Sequence, residues 1–110
     1  NIIGLSGLAS LEYAVQNLGV RLIVVMGHEN CGAVKAALDI HDAPGPIGYL
    51  LREIAPAVEV ARTAPGPLLD RAVECNVKHT VSNILERSET LKKYVDDGQL
   101  RVVGIVYRLS

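Results

Sequence analysis

Apolar positions recur along this chain with two different spacings. Leu22-Ile23-Val24-Val25-Met26 is an unbroken apolar run rich in β-branched residues. It predicts a strand from about Arg21 to Met26, covered on both faces as in parallel sheets. Leu100 to Leu109 contains Val102, Val103, Ile105 and Val106 and predicts a second strand. Elsewhere the spacing is helical. Leu11, Ala14, Val15 and Leu18 share one face of a helix over residues 10–18, with Gly19 as its stop. Residues 1–7 are Gly-rich and read as a loop. Ala33 onward is a good helix former to about Asp39, and the His41–Pro46 stretch, with two prolines and a glycine, is a loop. Leu50, Leu51, Ile54, Ala57, Val58 and Ala61 line one side of a helix over residues 47–62, which Pro56 should kink or split. After a Pro/Gly loop, the longest helix is predicted from Leu68 to Arg87. Its inner stripe is Leu69, Ala72, Val73, Asn76, Val77, Thr80, Val81, Ile84 and Leu85. Ser88 can cap a short helix from Glu89 to Asp96 that Gly98 ends.

The pattern gives one α/β domain over residues 1–110, with helices flanking a mostly parallel sheet. Two strands joined by a long helical crossover can pair in parallel. They do not supply both neighbours that the apolar Leu22–Met26 strand calls for, and an exposed apolar edge is an aggregation liability. The domain therefore reads as partial, with further strands contributed from outside these residues, by a partner chain or by a rearrangement.

Composition narrows the function. The formal net charge is −1 and hydrophobic residues make up 49%, so a packed core is available and no basic stripe marks a nucleic-acid surface. Phe and Trp are absent, which leaves few platforms for stacking bases. No apolar run approaches the ~20 residues of a membrane span. No secretory signal is visible, and the two cysteines, Cys31 and Cys75, suit free or metal-bound thiols in a reducing compartment. The cytoplasm is the expected location. The chain starts at Asn1, which leaves organellar targeting by an upstream segment open.

The candidate chemistry lies where the first strand ends. Gly27-His28-Glu29-Asn30-Cys31-Gly32 places an imidazole and a thiol three positions apart on the turn between strand and helix. In open α/β sheets, ligands bind beyond the carboxyl ends of such strands. Zinc accepts both donor types, a helix N-terminus favours the thiolate of Cys31, and Gly27 and Gly32 allow close backbone approach. The same residues also fit inert packing of a buried cysteine. Two ligands do not make a zinc site, which needs three plus water or four. His41 reads as a surface histidine in its loop, His79 as a surface or interface residue on the long helix, and Cys75 as a small, partly buried helix residue. Asp70-Arg71 reads as a solvated helix face. Tyr13 and Tyr107 read as core or interface aromatics.

Several segments together resemble the β-class carbonic anhydrases: Ser10–Val15, Leu18-Gly19-Val20, and above all Leu22 to Ala37 with its Gly-His-x-x-Cys-Gly-Ala core. Ala72–Val77 and Val103–Tyr107 resemble that family's later helix and strand, so the likeness runs over nearly the whole chain. The resemblance implies a zinc enzyme, a lyase that interconverts carbon dioxide and bicarbonate by attack of zinc-bound hydroxide. His28 and Cys31 match two of the three family ligands, and Gly32 matches a position lining the substrate pocket. The resemblance also implies a homodimer or higher homo-oligomer, with no nucleic-acid or membrane partner. Glu29 occupies a variable position and is not expected to act as a base. The family's Cys-x-Asp-Ser-Arg segment, which carries the remaining cysteine ligand and an orienting Asp–Arg pair, has no counterpart here, so no catalytic residue of that pair is present. Asn1 matches the end of the family's Arg-Asn-Ala-Gly-Asn stretch, which puts the missing strands directly before it. Weak or no hydratase activity is therefore expected of these residues alone. Two rival readings remain: a non-catalytic remnant acting as an oligomerisation or interaction module, and, on weaker grounds, a thiol redox protein using Cys31.

Overall fold

The structure, a computed structural model, describes residues 1–109. In chain order the elements are α1 (Leu5–Leu18), β1 (Leu22–His28), α2 (Gly32–Asp39), α3 (Gly45–Arg62), α4 (Leu68–Arg87), α5 (Glu89–Asp96) and β2 (Arg101–Tyr107). The two strands pair in parallel from Leu22 opposite Arg101 to His28 opposite Tyr107, with the four helices α2–α5 as the crossover. The expected α/β class is present.

Helix α4 organises the domain, packing across both strands on one side and against α3 on the other. Six of the nine predicted stripe positions, Ala72, Val73, Asn76, Val77, Thr80 and Ile84, are buried, and Leu69, Val81 and Leu85 are half-buried. Val77 sits directly over the sheet. A Cβ at Gly27 would stand 2.6 Å from one of its methyls, and a Cβ at Gly104 would stand 2.5 Å from the other. The two glycines thus form a seat for one valine, one on each strand. Around it lie Leu8, Val15, Ile23, Val25, Ile84, Leu91 and Leu100. A second apolar cluster joins α2, α3 and α4 through Cys31, Val34, Leu51, Ile54, Val58, Ala72 and Val73.

Four local expectations are corrected. Helix α1 begins at Leu5, inside the stretch read as a loop; Leu8 and Val15 supply its buried face, and Ser6 and Gly7 masked that period. Strand β1 is not covered on both faces. Ile23, Val25 and Gly27 point inward, while Leu22, Val24, Met26 and His28 alternate outward, with Leu22 53% and Met26 52% exposed. Among the described residues the sheet has one helical layer, so one strand face has nothing to pack on. Helix α3 starts at Gly45 and runs unbroken through Pro56. Proline deprives the Arg52 carbonyl of its amide donor, but both residues are on the exposed side, where water replaces that bond. Of the core-or-interface reading of Tyr13 and Tyr107, the core alternative is corrected, since they are 60% and 54% exposed.

The short helix α5 is capped as expected: the Leu91 amide donates to Ser88 Oγ at 3.0 Å. Ser88 Oγ in turn donates to Glu12 on α1 at 2.5 Å, tying two helices at a buried hydroxyl. On its other edge β1 has no strand neighbour among the described residues. Asn1 occupies part of that edge. Its Nδ2 donates to the Met26 carbonyl at 2.6 Å, and its own carbonyl accepts from Asn76 Nδ2 at 2.6 Å and Thr80 Oγ1 at 3.1 Å. Among the described residues no helix is long and apolar enough to cross a membrane.

Candidate functional site

His28 is the last residue of β1, so it belongs to the strand rather than to the turn that the sequence suggested. The pleat sends its side chain to the exposed face. The chain then turns through Asn30, whose φ of 56° lies in the left-handed region that Asn tolerates better than most residues. Cys31 follows as the N-cap of α2, in extended backbone, and is 8% exposed. Its side chain makes no capping bond, so the first-turn amides of α2 remain directed at the space beside the sulfur.

The histidine is oriented by its neighbour. His28 Nδ1 lies 3.1 Å from the Glu29 carbonyl. A carbonyl only accepts, so the bond requires the proton on Nδ1 and leaves the Nε2 lone pair free for a metal. Glu29 is in turn fixed to β2. Its amide donates to the Tyr107 carbonyl at 3.0 Å, and its carboxylate accepts from the Leu109 amide at 2.5 Å. Its carboxylate is thus engaged in holding the chain after β2, which agrees with the expectation that it is not a base. At Gly32 a Cβ would meet nothing within 4 Å, so the space above the first turn of α2 is open to a small molecule approaching the backbone.

Donor type therefore suits zinc, and donor number does not. Among the described residues no three His, Cys, Asp or Glu side chains are grouped to hold a metal. Cys75 is on α4 and lines a cavity facing α3, together with His79. His41 is exposed in its loop. Arg71 pairs with Glu74 at 2.5 Å and donates to the Pro65 carbonyl at 3.0 Å, so Asp70-Arg71 forms no orienting pair. A cavity of about 470 Å³ lies between α4 and β2 at Gly104, and its lining does not include the His28 turn.

Two arrangements at this end of the sheet were not read from the sequence. One is the Glu29–Leu109 tie. The other is the Asn1, Asn76, Thr80 and Met26 group, in which Asn76 is 2% exposed and its Oδ1 has no partner among the described residues. The available signal for the second was a polar pair, Asn76 and Thr80, within an otherwise apolar helical stripe.

Comparison with known proteins gives a consistent picture. Residues 1–110 match the carbonic anhydrase family. Carbonic anhydrase 2 of Mycobacterium tuberculosis is 38% identical over 114 aligned residues, covering 100% of this chain and 55% of that protein. The carbonic anhydrase of Mycolicibacterium smegmatis is 36% identical over 107 residues, covering 94% and 52%. The chain spans about half the length of the curated relatives it matches. Among solved structures, the Coccomyxa β-carbonic anhydrase in complex with acetazolamide superposes with a TM-score of 0.80 at 31% identity, over 97% of this chain and 52% of that one. A β-carbonic anhydrase of the fungal pathogen Aspergillus fumigatus superposes with a TM-score of 0.72 at 26% identity, over 97% and 54%.

Proposed function

We propose, for a chain that belongs to the β-class carbonic anhydrase family, that its function is zinc-dependent interconversion of carbon dioxide and bicarbonate, with these residues contributing part of the active site. The observation that carries this is the junction of β1 and α2: a histidine with Nε2 left free by its Nδ1 bond to Glu29, and a cysteine at an open helix N-terminus.

His28 Nε2 and Cys31 Sγ would hold the ion. The chemistry zinc supplies when bound is Lewis acidity, which makes water a nucleophile near neutral pH. The Glu29 carbonyl keeps the imidazole in one tautomer. The tie from Glu29 to Tyr107 and Leu109 anchors that carbonyl to β2, so the orientation of His28 is set by both strands. The amides of the first turn of α2 would offset part of the charge of a zinc-bound Cys31 sulfur. The uncovered backbone at Gly32 lets a small, flat substrate approach an N–H donor that the helix does not use.

The third zinc donor is not among the described residues. Separately, we propose a second copy of the chain as partner. The outward sheet face, with Leu22, Val24, Met26, Ile105 and Tyr107 exposed, is the surface such an assembly would cover. The free thiols of Cys31 and Cys75 suit a reducing compartment such as the cytoplasm. A stopped-flow assay of carbon dioxide hydration tests the proposal. The 110-residue chain is expected to show little or no hydratase activity, and full zinc-dependent activity from it would overturn the partial-site reading.

The missing third donor favours one alternative, a metal-free interaction module. Metal analysis separates the two: zinc retained through His28 and Cys31 supports the enzyme reading, and a folded, metal-free oligomer supports the module.

A further inference from the structure

Outside the His28 turn, one further cluster brings nucleophilic chemistry together. Cys75 and His79 are one helical turn apart on α4, and both are half-buried. Residues at this spacing share a helix face, with Cβ atoms about 5–6 Å apart; the two side chains are not hydrogen-bonded to each other in the structure, and a rotamer change would bring thiol and imidazole together. Both line the same cavity of about 240 Å³, walled on the α3 side by Pro56, Ala57 and Val60. At roughly 30 Å³ per water, such a space admits a small organic group. Lys78 and Ser82, both exposed, stand at its mouth. His79 has no acidic partner among the described residues, and Cys75 is a free thiol. None of these side chains takes part in the proposed zinc site.

We propose that Cys75 and His79 form a reactive thiol site for small anionic disulfides. The Cys75 proton passes to a ring nitrogen of His79, and the sulfur attacks one sulfur of the incoming disulfide. The S–S bond of the reagent breaks as a new one forms to Cys75. The other half leaves as a thiolate and takes the proton from His79. Cys75 is oxidised to the mixed disulfide and the departing sulfur is reduced, so no further oxidant is required. A histidine beside a cysteine is the usual arrangement for activating the thiol. Lys78 attracts an anionic reagent to the mouth of the cavity.

The test is the reaction of the native protein with 5,5′-dithiobis(2-nitrobenzoate), an anionic disulfide, and with cystamine, a cationic one. Adducts are located by peptide mass mapping. Cys75 is expected to react faster than Cys31, faster than the same residue in urea-unfolded protein, and faster with the anionic reagent. His79→Gln should slow it by about tenfold or more, as loss of a positioned base does. Lys78→Gln should narrow the preference between reagents. A rate at Cys75 no higher than in the unfolded chain overturns the proposal, and this comparison needs no variant. An unchanged rate in folded His79→Gln overturns it as well.

Discussion

Gly27→Ala tests the packing that positions the site. A Cβ there would lie 2.6 Å from Val77 Cγ2 and 3.2 Å from Val73 Cγ1. Carbon atoms pack best at about 3.5–4.0 Å, so the overlap with Val77 is roughly 1 Å. Either α4 lifts from the sheet or β1 moves at the residue before His28. Overpacking of this kind costs about 1–3 kcal/mol. Reduced freedom of the unfolded chain returns about 0.4–1 kcal/mol, leaving a net loss of about 1–2 kcal/mol. Urea unfolding followed by far-UV circular dichroism reads this as a lower midpoint at unchanged slope. Val77→Ala removes the clashing methyl, so the double variant should be more stable than additivity allows, by about 1 kcal/mol. An unchanged midpoint in Gly27→Ala, or strict additivity in the double variant, would refute the seat formed by Gly27, Gly104 and Val77.

Other substitutions probe other contacts. Ser88→Ala removes the cap of α5 and strands the Glu12 carboxylate, so it should cost about 1–2 kcal/mol in the same unfolding assay. Asn76→Ala removes one of two bonds to the Asn1 carbonyl; a loss near 1 kcal/mol and faster proteolysis of the N-terminal residues are expected. Glu29→Ala should free the backbone at Leu109, seen as faster amide exchange there, and weaken zinc binding about 10–100-fold by loosening His28. Glu29→Gln, which keeps an acceptor for the Leu109 amide, should preserve most of that affinity.

Helices α4 and α5 were legible almost residue for residue, because a long apolar period, Ser88 and Gly98 punctuate them locally. The failures have equally specific causes. An apolar run such as Leu22–Met26 is compatible with one buried face or two, and only the tertiary layers decide. Here α4 covers one side, and Leu22, Val24 and Met26 are left facing outward. The start of α1 was obscured by residues with weak helical preference before Leu8. Pro56 predicts a kink or a split, and the split does not occur because its lost bond falls on the wet side of α3, which sequence does not show. At the site, His28 and Cys31 were visible from spacing and donor chemistry. The bond that fixes the His28 tautomer, and the tie from Glu29 to Leu109 across 80 residues, depend on strand register and could not be read locally.

We propose that the zinc donors of this chain are His28 and Cys31, and not Cys75 or His41. Competition titration of the protein with zinc against a chromophoric chelator measures it most directly. His28→Ala and Cys31→Ser should each weaken binding by roughly 100-fold or more, since loss of an outer partner alone costs about 10–100-fold, while Cys75→Ser and His41→Ala leave it unchanged. Zinc affinity that survives loss of both His28 and Cys31, or that falls equally with Cys75→Ser, would contradict the account.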